Sequence, residues 1–92
     1  MTRQAQADLE RFRDDPEFQL EQLLLEVNEL IVDRMNALGL RKVDLAERLG
    51  VSRAFVTKFL EGNGNVTLRT LMKVANALQA RLQVELIPRH VE

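Results

Sequence analysis

Four side chains spaced for one side of a short helix, Arg53, Ala54, Thr57 and Lys58, have the chemistry to read base-pair edges. An arginine can donate two parallel hydrogen bonds to O6 and N7 of guanine, worth about 1–3 kcal/mol of discrimination. Thr57 offers a hydroxyl or a methyl, Lys58 can reach a base or a phosphate, and Ala54 can touch a thymine methyl. A second set, Lys42, Ser52, Asn65, Thr67 and Arg69, falls at expected helix starts or in the adjoining loop. Free amides and the positive end of the helix dipole favour phosphate there.

Each assignment has a plainer alternative. Arg53, Thr57 and Lys58 could be a solvated helix face, and Lys42 and Arg69 could serve solubility. Phe55 is placed either against the preceding helix or with its ring edge near a sugar. The two glycines of Gly62–Asn65 suggest a nucleotide cradle, but no strand precedes them and no Gly-Lys-Ser/Thr follows, so a helix-ending loop is expected. His90 is the only histidine and the chain has no cysteine, which argues against a metal centre, a disulfide framework or a thiolate nucleophile. No nucleophile–base pair or paired carboxylates stand out, so no enzyme and no cofactor is expected.

The elements that must hold these residues can be read from local signals. Residues 4–13 can form a weak helix with Leu9 and Phe12 on one side. Asp15 can cap a second helix, with Pro16 at the first position where no amide is needed. From Glu17 to Leu38, Leu20, Leu24, Val27, Ile31, Met35 and Leu38 recur at helical spacing, and Leu23, Leu25, Leu30 and Val32 widen the stripe. Gly39 supplies the stop. Lys42–Leu49 and Ser52–Leu60 read as two short helices separated by Gly50. Thr67 caps a last helix, Leu68 to Gln79, with Leu68, Leu71, Met72, Ala75 and Leu78 as its buried side. Then the period becomes two: Leu82, Val84 and Leu86 alternate with Gln83 and Glu85 up to Pro88, the pattern of a strand. A lone strand invites a partner, and the expected one is the same strand of a second copy. The domain reading is an N-terminal extension over 1–16, a DNA-binding domain over 17–79, and a dimerisation strand and tail over 80–92.

The chain has 92 residues and a net charge of −1. Residues 1–40 hold four arginines against nine acids, whereas 41–62 and 63–92 each carry +2. Positive charge for phosphates is thus expected in the second half, with the acidic first half turned away from DNA. No apolar run exceeds three residues, as at Leu23-Leu24-Leu25, so no membrane span is expected. No signal peptide is read at the N-terminus, and a cytoplasmic location is expected.

The segment Val43–Gly62 combines these signals. Ala46 is small where a second helix crosses, and Gly50 accepts positive φ where the chain reverses. Val51 is expected to plug the turn and Ser52 to cap the next helix. Leu45, Leu49, Val56 and Phe59 form the wedge between them. This pattern closely resembles the helix-turn-helix of the lambda-repressor and Cro family, also called the xenobiotic-response-element family. The resemblance runs from Asn28 to Gln79 and includes Gly39-Leu40, Leu45-Ala46, Leu49-Gly50-Val51-Ser52, Leu68, Leu71, Ala75 and Ala77-Leu78. It implies an all-α bundle of about five helices whose second motif helix lies in the major groove. Arg41 and Lys42 depart from the family's usual Ser/Thr-Gln, implying a lost cap, looser geometry and more phosphate attraction. Leu60, and Asn65 with Thr67-Leu68-Arg69-Thr70-Leu71, give a looser similarity to antitoxins of the HigA and HipB kinds.

Two functions are therefore expected in competition. One is a homodimeric repressor on a palindromic double-stranded operator, joined through Leu82, Val84 and Leu86. The other is an antitoxin whose acidic segment 1–33 covers a basic toxin and which also represses its own operon.

Overall fold

A computed structural model describes residues 14–62 and 66–89, within which the chain forms four α-helices. They are α1 (Pro16–Leu38), α2 (Lys42–Leu49), α3 (Arg53–Leu60) and α4 (Leu68–Ala77). The expected helix over 4–13 lies outside the described residues. The architecture is all-helical, but the count of five is not reached among the described residues.

Local chemistry sets the ends of these helices. Asp15 accepts from the Glu17 amide at 3.0 Å, and Pro16 opens α1. Gly39, at φ 68°, turns the chain left-handed, and the Leu40 amide donates to the Met35 carbonyl at 2.8 Å. Thr67 caps α4 by accepting from the Thr70 amide at 3.1 Å. That helix ends at Ala77, earlier than expected, because Gln79 takes φ 54° and the Ala80 amide donates back to the Ala75 carbonyl.

The core is Ile31, Met35, Leu45, Ala46, Val56, Phe59, Val74 and Leu78, ringed by Val27, Leu38, Leu40, Leu49, Leu60, Val66, Leu71 and Ala77. The expected wedge is present: Leu45, Val56 and Phe59 are buried and Leu49 half-buried. Two expectations fail here. Val51 does not plug the turn from inside but lies at its exposed edge. The buried side of α4 is rotated from the expected one: Val74 and Leu78 are sealed, while Leu68 and Met72 are exposed. Packing against α2 selects that side, because α4 carries apolar residues on more than one flank.

The expected strand over Leu82, Val84 and Leu86 is not formed. Residues 80–89 contain neither helix nor strand, since a strand exists only through ladder hydrogen bonds and no other segment pairs with it among the described residues. No described helix is long and apolar enough to cross a membrane.

Candidate nucleic-acid interface

The turn between α2 and α3 fixes the site. Gly50 adopts φ 70°, and the Val51 amide donates to the Ala46 carbonyl at 3.0 Å, so the chain leaves α2 through one tight reversal. The Ser52 hydroxyl oxygen then accepts from the Phe55 amide at 3.0 Å and starts α3. Its O–H proton stays available, so Ser52 can cap and still donate outward.

On α3 the inward side is Val56 and Phe59, with Leu60 half-buried. At about 100° per residue, Ala54 and Lys58 lie opposite that side, Thr57 and Arg53 on one flank, and Phe55 on the other. Arg53, Ala54 and Lys58 are exposed and Thr57 is half-buried, so the structure brings all four base-reading candidates onto one outward surface. No acid lies within α3. Phe55 makes its aromatic contact within α3. Its ring is exposed by 43% and stacks on Phe59 with centroids 6.5 Å apart, which holds it at the edge of this surface.

The phosphate candidates divide. Lys42, at the first position of α2, and Arg69, in the first turn of α4, are exposed. Neither makes an ion pair among the described residues. Thr67 caps α4, and its hydroxyl is also 3.0 Å from that of Thr70. Asn65 lies outside the described residues. The tail candidates differ in environment: Leu82 is half-buried, whereas Val84 and Leu86 are exposed.

The start of α2 is better held than its sequence suggests. Arg41 has no side-chain oxygen to cap with, but Asp44 reaches back and accepts from the Arg41 amide at 2.8 Å. The same carboxylate takes Nε and Nη2 of the Arg41 guanidinium, each at 3.2 Å. This is the returning half of a capping box made with an arginine. The expected loosening is therefore absent, and the Arg41 guanidinium, itself exposed, has the Asp44 carboxylate beside it. The hydrogen bonds and charge of Arg41 hold the Asp44 carboxyl below the usual aspartate range, and those of Asp44 raise Arg41.

Two arginines have roles that sequence reasoning missed. Arg48 on α2 donates to the Ala77 carbonyl at 2.7 Å. Arg34 on α1 donates through Nε to the Leu78 carbonyl at 2.9 Å and through Nη2 to the Gln79 carbonyl at 3.0 Å. The last turn of α4 has no basic residue of its own. These guanidiniums satisfy carbonyls that a helix C-terminus leaves open and oppose its negative dipole end. Arg48 therefore braces α4 against α2. No signal at separations of 29 and 44 residues could have revealed these contacts.

A family model described as Helix-turn-helix matches residues 31–84, more than half of the chain. The match takes in the C-terminal part of α1, all of α2, α3 and α4, and the start of the tail. No curated protein and no solved structure gives a significant match.

Proposed function

Because the chain belongs to the lambda-repressor/Cro-type helix-turn-helix family of DNA-binding transcription regulators, we propose that it is a repressor that binds a palindromic operator as a homodimer. Arg53, Ala54, Thr57 and Lys58 read base edges in the major groove, and Lys58 also neutralises a phosphate there. Lys42, Arg69, Ser52, Thr67 and Asn65 hold phosphates, and Leu82, Val84 and Leu86 join the two copies. The observation that carries this reading is the outward side of α3, exposed, free of acids and set by the Gly50 turn and the Ser52 cap. Selection of bound duplexes from a random pool tests it. The expected product is an inverted repeat with half-sites about 34 Å apart, one helical turn. Absence of salt-sensitive association with any duplex overturns it.

A second reading, an antitoxin that also represses its own operon, draws on α1. At about 100° per residue, Leu25 and Val32 share one flank of α1 with Glu21 and Glu29, and all four are exposed. An apolar strip among carboxylates suits a basic protein partner. Co-purification of a basic protein that is lost on Leu25→Lys supports this reading, and a partner retained by that variant counts against it.

A further inference from the structure

The tail after α4 is anchored at both ends and unpaired between them. Arg34 holds the carbonyls of Leu78 and Gln79 at one end. At the other, Arg89 meets Asp14 at 2.7 Å, just ahead of α1. The rise from Asp14 to Arg34 along a helix is about 30 Å, the length that the residues from Gln79 to Arg89 cover when extended, about 33 Å. The tail thus runs alongside α1. Between Ala80 and Arg89 no backbone hydrogen bond forms among the described residues beyond that of the Ala80 amide. Leu86, exposed by 94%, is the most exposed large apolar side chain described, with Ile87 and Val84 next.

The flank of α1 beside the tail is apolar too. Leu23 and Leu30, seven residues apart, lie on the side opposite Leu25 and Val32 and are exposed by 56% and 68%. Leu30 lines a groove of about 290 Å³ with Val27, Arg34, Leu71 and Leu82. Leu30 and the start of the unpaired tail thus share one groove, and Leu23 lies about two turns further along the same flank.

We infer that this surface is covered by a second copy of the chain, the two tails pairing antiparallel about Val84 and the resulting ribbon lying across both Leu23–Leu30 flanks. The inference rests on the homodimer reading above and specifies its interface. Self-complementarity favours this register over one centred on Glu85. Centring on Val84 sets Leu82 opposite Leu86 of the second copy and Gln83 opposite its Glu85, with Arg81 diagonal to that Glu85. Centring on Glu85 would set two carboxylates face to face and Leu82 opposite Pro88, which has no amide to give. The paired ribbon supplies partners for the backbone groups that the monomer leaves open.

The absence of native cysteine allows a direct test. Residues facing themselves across a two-fold axis stand about 4.5–5.5 Å apart at Cα, within disulfide reach, whereas diagonal positions do not. Full-length chains carrying Val84→Cys, Gln83→Cys or Glu85→Cys are oxidised at equal concentration. Val84→Cys is expected to cross-link faster by on the order of tenfold or more. In sedimentation equilibrium, Leu30→Glu is expected to weaken self-association by about tenfold or more with helix content retained, and Leu25→Glu to leave it unchanged. A dimer in which the three cysteine variants cross-link equally, or in which Leu25→Glu acts like Leu30→Glu, overturns this interface while leaving the homodimer reading intact. A protein monomeric both free and on a palindromic duplex overturns both.

Discussion

The salt dependence of DNA binding tests the assignment of charges. Lys42, Lys58 and Arg69 are exposed without an ion-pair partner among the described residues, whereas Arg41 is held by Asp44 and Arg48 by the Ala77 carbonyl. A dimer using the first three neutralises about six phosphates, for a slope of log K against log salt near −5. Between about 50 and 200 mM salt, affinity then falls by on the order of 10³. Were Arg41 and Arg48 also on phosphates, about ten contacts would give a slope near −9 and a loss of about 10⁵. Fluorescence anisotropy of a labelled operator duplex over a potassium chloride series separates the two cases. Asp44→Asn frees Arg41 and should steepen the slope by about 2, one contact per protomer. Lys42→Ala should flatten it by about the same amount and weaken all sequences alike. A slope near −9 for the unaltered chain, or no steepening with Asp44→Asn, refutes the view that Asp44 withholds Arg41 from the DNA.

Arg53→Ala should cost about 1–3 kcal/mol on the operator and relax preference at one base pair per half-site; equal loss on random duplexes would show that Arg53 does not read a base. Gly62→Ala should destabilise by about 1–3 kcal/mol in denaturant melts, from left-handed backbone strain, and by more than Gly39→Ala. Gly62 has φ 76° and its added Cβ would sit 3.3 Å from Nδ2 of Asn28, while Gly39 has open space; equal losses at the two sites would contradict a packing contribution from Asn28. In acid, the folded chain holds the Asp44 carboxyl below its ordinary value of 3.8. Its contribution is therefore complete above that value and lost as pH falls through the lowered one. Melts of Asp44→Asn should lack this component below about pH 4, and an identical acid profile would exclude it.

What the sequence determined by itself is whatever is settled within a few residues. Asp15, Ser52 and Thr67 cap through amides two or three positions away, and Gly39 and Gly50 turn the chain where they stand. Those bonds depend on local geometry alone, so helix order, the Gly50 turn and the outward set Arg53, Ala54, Thr57 and Lys58 were legible. Tertiary structure decided what depends on distant partners. Which flank of α4 is sealed depends on its contact with α2, so Val74 displaced Leu68 and Met72 from the expected core. Arg34 and Arg48 found their carbonyl partners only because folding brought the end of α4 within reach. Arg41 and Asp44 sit close in sequence, yet their pairing was overlooked because an arginine cannot itself cap an amide. The alternation Leu82, Val84, Leu86 is a local property, but a strand is a relation between two segments, and the described residues supply only one of them.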